Sequence, residues 1–269
     1  MIEQTAFAFS NALSSSALKE KETLLEKKLF FQTKLGKLYL GDALEVLKSL
    51  PDESVDLVIA DPPYNSDTVE WDEKDDEWQF QWLEEVKRVM KEGASLYVFF
   101  APLNMYGVEG WIRKNLTLKN VVVWFHPNLY GAGLSYGDDR WKSTWDVIFY
   151  AVKGKKAKHG KRVAEEGWKL NPKGGGFDVM VYPQPRPLLH KAQKPLELIK
   201  KLVWCSSEEG DVVLDPFAGS GTTAVACEKL NRKWIGIELE EKHCEVIKRR
   251  LLEEVRNLKI FGQVFESKL

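Results

Sequence analysis

Asp61-Pro62-Pro63-Tyr64 puts an acid, two prolines and a flat aromatic face within four residues. The prolines fix φ and remove two backbone donors, and they restrain the residues before them. The Asp61 carboxylate and the Pro62 carbonyl are left as acceptors in a rigid corner, with the Tyr64 ring beside them. Such a corner suits a planar ligand bearing an amine: two acceptors take its N–H groups and one ring stacks on its face. The competing description is a proline-rich turn with a capping aspartate. A second stretch, Asp215-Pro216-Phe217-Ala218-Gly219-Ser220-Gly221-Thr222-Thr223, has different chemistry. Its glycines let bare N–H groups approach a ligand at a helix N-terminus. Glu238 lies 23 positions beyond Asp215, an offset at which an acid accepts hydrogen bonds from ribose hydroxyls. The two stretches together describe a nucleoside-like ligand held next to an amine.

The surrounding pattern supplies the elements that would position them. Val55 to Ala60 is an apolar run of strand character that delivers Asp61. Asp211 to Leu214 is another, ending at the glycine turn, and a helix from Ala224 to Leu230 follows, with the Thr222-Thr223 pair available to cap it. The strand Lys233 to Ile237 ends in Glu238. Lys37 to Leu40 is a strand running into Gly41-Asp42 and a helix from Ala43 to Leu50. Asp42 is thereby at a strand's C-terminal end, where open parallel sheets bind ligands, and is equally placed to cap the helix. Further strands are expected at 95–100, 121–125 and 145–152, and helices at 80–90, 106–115 and 196–204. The strand–helix alternation implies a doubly wound α/β sheet with the four acids Asp42, Asp61, Asp215 and Glu238 along one crevice.

Between 153 and 173 the character changes. Lys153, Lys155, Lys156, Lys158, Lys161, Arg162, Lys169 and Lys173 face only Glu165 and Glu166, in a chain of 269 residues whose formal charge is −1. This is either a solvated loop or the footprint of a phosphate-backbone contact. The segment 153–187, with glycines at 174–176 and three prolines beyond, reads as a surface insertion. It divides the chain into an N-terminal arm (1–30), one half of the main domain (31–152), the insertion, and a second half (188–269). Lys194, ahead of Pro195 and the next helix, either faces an anionic group or is a solvated helix-start lysine. The three cysteines are far apart and form no CxxC pair, which argues against a zinc site and for a reducing cytoplasm. No metal site and no membrane span are expected, and hydrophobic content of 44% supplies an ample core.

Asp61-Pro-Pro-Tyr64, Asp215-Pro-Phe-Ala-Gly-Ser-Gly221 and Gln193-Lys-Pro195 together resemble the amino-group DNA methyltransferases that use S-adenosylmethionine. The tetrapeptide precedes the basic segment and the glycine turn comes last, an order similar to that of the circularly permuted beta subgroup. The resemblance covers about residues 36–255. It implies a doubly wound, mostly parallel Rossmann-like fold with a short basic insertion. It also implies S-adenosylmethionine as cofactor, with Phe217, Ala218, Gly219, Ser220, Gly221, Thr222 and Thr223 around its methionine part and Glu238 on its ribose. Asp42 and Ala43 would lie near its adenine, Asp61 and Asp215 would border it, and Lys194 would close over its methionine end. Asp61 and the Pro62 carbonyl, backed by Pro63, would hold the target amine of a base flipped out of double-stranded DNA, and Tyr64 would stack on that base. Asp at the first position resembles the N6-adenine enzymes more than the N4-cytosine ones. Lys153, Lys155, Lys156, Lys158, Lys161 and Arg162 are the expected nucleic-acid contacts, and pairing into a homodimer is expected from the relatives. The alternatives are an RNA or protein methyltransferase and a non-catalytic DNA-binding module. A dehydrogenase is disfavoured because the turn is GxG without the third glycine of the dinucleotide fingerprint.

Overall fold

The computed structural model of the protein describes residues 15–63, 76–102, 105–127, 144–160, 162, 178–186 and 193–255. Its strands are β1 (Leu29–Gln32), β2 (Gly36–Leu40), β3 (Val55–Ala60), β4 (Met90–Phe100), β5 (Thr117–Phe125), β6 (Trp145–Val152), β7 (Val179–Val181), β8 (Val212–Asp215) and β9 (Lys233–Glu238). Its helices are α1 (Ser15–Lys28), α2 (Ala43–Ser49), α3 (Asp76–Val89), α4 (Tyr106–Asn115), α5 (Leu196–Ser206), α6 (Thr222–Lys229) and α7 (Glu241–Glu254). The strands form one sheet in the order β1-β2-β9-β8-β3-β4-β6-β5-β7. From β2 to β4 all neighbours run parallel, and β6 is antiparallel to both β4 and β5.

The central strands are apolar on both faces because both faces are covered. Every residue of β3 is buried. Val58 and Ala60 pack with Val46 and Leu47 of α2, Leu83 and Val86 of α3 and Ile112 of α4. Leu57 and Ile59 pack on the opposite face with Leu198 and Leu202 of α5, Ala226 of α6 and Ile247 of α7. The helix after β3 therefore covers one face and the helix after β8 covers the other. Since β3 and β8 are neighbours, the chain diverges between them, and the crevice outside their C-terminal ends is the expected ligand position of a doubly wound sheet.

Three features depart from the sequence reading. The helix after the glycine turn starts at Thr222, and the N-cap position is Gly221, with φ 74°, rather than a threonine. The left-handed backbone there is one that glycine adopts without strain. Two short strands, β1 and β7, were not expected. Val179–Val181 pairs with β5, so the end of the 153–187 segment belongs to the sheet. Finally, α7 adds a layer that the motifs do not announce. In the N-terminal arm, α1 contacts α2 through a Lys28–Glu45 ion pair of 2.8 Å; the first fourteen residues lie outside the described ones. Among the described residues, no helix is long and apolar enough to cross a membrane.

Candidate active site

The register of β2, β9, β8 and β3 aligns their C-terminal ends, with Leu40 opposite Glu238, Asp215 opposite Gly236 and Leu214 opposite Val58. Asp42, Glu238, Asp215 and Asp61 consequently stand at one edge on four adjacent strands. Asp42 takes its capping role, accepting from Glu45 N at 3.1 Å. It stays beside Glu238 because Gly41 N donates to the Glu238 carbonyl at 2.9 Å. Ala43 is buried at the start of α2.

The glycine turn is built by backbone and helix contacts. Ala218 N donates to Ile237 O at 2.9 Å and Gly221 N to Ala218 O at 2.7 Å. A Cβ at Gly221 would lie 2.7 Å from Ile247 Cγ2 of α7, so the turn needs glycine both for its backbone and for this close approach. Gly219 N donates to Glu238 Oε2 at 2.8 Å and Glu240 N to Oε1 at 3.0 Å. Glu238 is thus oriented by two amides; His243 Nδ1 stands 3.5 Å from its Oε1, and its Oε2 keeps a lone pair for a diol. Arg250 of α7 is 3% exposed and donates to Ser220 O at 2.7 Å, Ser220 Oγ at 3.3 Å and Thr222 Oγ1 at 3.1 Å. It is a positioning residue of the turn that the motif pattern did not disclose.

The proline corner is held from α3. Gln79 is 2% exposed; its Nε2 donates to Pro63 O at 2.7 Å and its Oε1 accepts from Trp82 Nε1 at 2.8 Å. The same helix packs on the glycine turn, with the Phe217 ring 5.2 Å from Trp82 and 5.7 Å from Trp78. One helix therefore ties both stretches into one cleft. Lys194 lies between them: its ammonium donates to Asp61 Oδ2. Pro62 is buried, and Tyr64 lies outside the described residues.

Burial and the neighbouring acids act on Asp215. Asp215 is buried, which pushes its carboxyl up to about 7; the Asp61 and Glu238 charges push in the same direction, while the Thr223 hydroxyl and Phe217 amide oppose them. The folded-state value is above the unfolded one, so between about pH 4 and 7 the folded protein binds the extra proton and stability falls as pH rises. Asp215→Asn, which keeps an acceptor for the Phe217 amide, is expected to remove that slope. Relative to the cofactor-free wild type it should gain stability between pH 5 and 8, by about 3 kcal/mol, the two pH units between pH 5 and the folded-state value of about 7. Denaturant unfolding at the two pH values measures this, and a pH-independent difference would contradict it.

Among the described residues of the basic run, 153–160 and 162, none joins the cleft. Because β6 is antiparallel to β4, it exits at the opposite edge of the sheet. There Lys153 Nζ donates to Met90 O at 2.7 Å, and Lys158 Nζ reaches Asp211 Oδ1 at 2.7 Å and Asp56 Oδ1 at 3.3 Å. Arg162 donates to Trp204 O and Ser207 O at 2.9 and 2.8 Å. The side chains of Lys155 and Lys156 are exposed at that same edge, and Lys161 lies outside the described residues. Lys153 and Lys158 thus hold this loop to the sheet and Arg162 holds it to the end of α5, so at least three cations of the expected phosphate-contact segment already have protein partners.

Comparison with known proteins identifies the family. A family model for N6/N4 methyltransferases, described as DNA methylase, matches residues 55–249. Type II methyltransferase M.BamHI of Bacillus amyloliquefaciens is 35% identical, over 95% of this chain and 66% of its own length. This chain thus spans about two thirds of that relative. DNA adenine methyltransferase YhdJ of Escherichia coli strain K12 is 36% identical over 78% of this chain and 81% of its own. Among solved structures, the Thermus thermophilus protein TTHA0409 complexed with S-adenosyl-L-methionine superposes with a TM-score of 0.64 at 28% identity, covering 82% of this chain and 95% of that one. The cytosine-N4-specific PvuII DNA methyltransferase, at 20% identity and a TM-score of 0.65, shows the shared fold alone. The donor and acceptor set fits the cofactor: a glycine turn at a helix start, a ribose-ready Glu238, and carboxylates suited to a sulfonium. The chain belongs to the S-adenosylmethionine-dependent N6/N4 DNA methylase family.

Proposed function

We propose that the protein methylates the exocyclic amine of a base in double-stranded DNA, and that the base is adenine, modified at N6. The observation carrying this is that Asp61, at the end of β3, shares one cleft with the glycine turn, linked to it by α3 and by Lys194, which reaches Asp61 with its ammonium and Thr222 with its carbonyl. An exocyclic amine is a poor nucleophile because its lone pair is delocalised into the ring. Asp61 and the Pro62 carbonyl, each accepting one N–H, favour a pyramidal nitrogen whose lone pair points out of the ring plane. When bound, the cofactor supplies an electrophilic methyl group. The protein's own contribution is positioning and fixed dipoles. The two prolines and the Gln79 clamp keep the acceptors from relaxing toward water. The base must leave the duplex, because in the stack its amine is paired and shielded. Tyr64 is assigned to stack on the flipped base.

The choice of adenine is supported by the aspartate that opens the tetrapeptide and by the adenine specificity named for YhdJ. The acceptor pair alone accommodates the N4 amine of cytosine equally. The type II methyltransferase name of M.BamHI supports a place in restriction–modification, hence in the cytoplasm with the host DNA. No DNA-backbone contact is assigned to Lys153, Lys158 or Arg162, whose cations are otherwise engaged. Pairing into a homodimer is carried by the family resemblance. Sequencing, with modified-base detection, the DNA of cells that express the protein tests the assignment. N6-methyladenine at one short sequence is the expected result, and N4-methylcytosine instead would overturn the choice of base.

A further inference from the structure

Lys194 stands where two requirements of the cleft meet. Its side chain is 8% exposed, and its ammonium donates to Asp61 Oδ2. The ammonium also lies 5.3 Å from the Phe99 ring centroid and 5.9 Å from that of Trp124. Its backbone carbonyl accepts from Thr222 Oγ1 at 3.4 Å. The residue is thus tethered to the first turn of α6 while its side chain reaches across to β3. The Asp61 carboxylate is the acceptor that a target amine must use, and an N–H donor already occupies it. The cofactor's amino-acid end carries a carboxylate of its own. Entering a cleft that holds Asp61, Asp215 and Glu238, that carboxylate needs a cation beside it.

We propose that Lys194 is an exchange residue, holding Asp61 in the cofactor-free protein and passing to the cofactor's carboxylate on binding, so that Asp61 Oδ2 becomes available to the target amine. This rests on the reading of the cleft as an S-adenosylmethionine site and deepens it. No covalent bond changes: one ion pair replaces another and the charge of the cleft's cation is conserved. The Phe99 and Trp124 faces give the ammonium a favourable surface along which to move between the two anions. The exchange makes cofactor binding a precondition for full engagement of the amine. By linkage, each ligand then strengthens the other.

Calorimetric titration with S-adenosylhomocysteine and with 5′-methylthioadenosine, which lacks the amino-acid end, tests this without turnover. In the wild type part of the binding free energy is spent on leaving Asp61. Asp61→Asn is therefore expected to bind S-adenosylhomocysteine about tenfold more tightly, with methylthioadenosine unchanged. Lys194→Met should bind S-adenosylhomocysteine about tenfold more weakly, again with methylthioadenosine unchanged. Adding Asp61→Asn to Lys194→Met should bring no gain. An equal gain in both backgrounds would mean that Asp61 merely repels the ligand, and would overturn the exchange. An Asp61→Asn protein that binds like the wild type would overturn it as well. Methylthioadenosine binding shows that each variant is folded with its nucleoside site intact. A wild type that binds neither probe would refute the cofactor site itself rather than the exchange.

Discussion

Asp61→Ala is expected to lower methyl transfer to DNA by about a thousandfold or more, with S-adenosylhomocysteine bound at least as tightly as in the wild type. The expected effect is large because the carboxylate is one of the two groups assigned to reshape the amine as it reacts, in a corner held by the prolines and by Gln79 on Pro63. Its charge is also worth more as the nitrogen becomes positive than in the ground state, so the loss falls on the chemical step. Cofactor binding is expected not to suffer, since the ribose and methionine contacts are assigned to Glu238 and the glycine turn. Single-turnover transfer of a labelled methyl group, alongside calorimetry, separates the two. A variant that loses cofactor binding in parallel with turnover would show that Asp61 belongs to the cofactor site alone. Retained turnover would remove it from the chemistry.

Arg250→Met carries the second large effect. The guanidinium is buried and spans Ser220 O, Ser220 Oγ and Thr222 Oγ1, while its Nε donates to Glu254 Oε1 at 2.6 Å. Methionine fills much of the volume but leaves those acceptors and the Glu254 carboxylate without their donor. Glu254 is a third exposed and can turn to water, but leaving the buried Ser220 and Thr222 acceptors without this donor costs about 3 kcal/mol. The turn it supports presents the cofactor-binding amides, so S-adenosylhomocysteine affinity should also fall by about tenfold, the reach of one lost charge-assisted contact. Lysine at 250 should recover little, because a point charge cannot reproduce the fork geometry. Denaturant unfolding and calorimetry on the same preparation measure both effects. A variant that is less stable yet binds the ligand normally would confine Arg250 to the core.

Much of this arrangement is legible in the sequence because it is local. The prolines of 61–64 fix their own backbone, the apolar run before them can only be a buried strand, and Gly219 and Gly221 mark a turn at a helix start. The order of the motifs then determines which strand ends meet. What is not legible depends on partners far along the chain. Arg250 reads as one cation among several in a charged helical stretch until α7 is seen packed behind the glycine turn. Gln79 is one polar residue of an amphipathic helix until its amide meets Pro63. The lysines at 153 and 158 look available for phosphate until Met90, Asp56 and Asp211 take them up, because nothing in a charge run tells at which edge of the sheet it emerges. β7 is three residues between glycines and prolines, too short for periodicity to show.

The most direct test of the account is a crystal structure of the chain with S-adenosylhomocysteine and a duplex carrying its recognition sequence. The expected result is the ligand's ribose on Glu238, its sulfur over the turn from Phe217 to Thr223, and a flipped base whose amine donates to Asp61 and the Pro62 carbonyl on the same side of the sheet. A ligand seated away from that turn, or a base amine with no contact to Asp61, would contradict it.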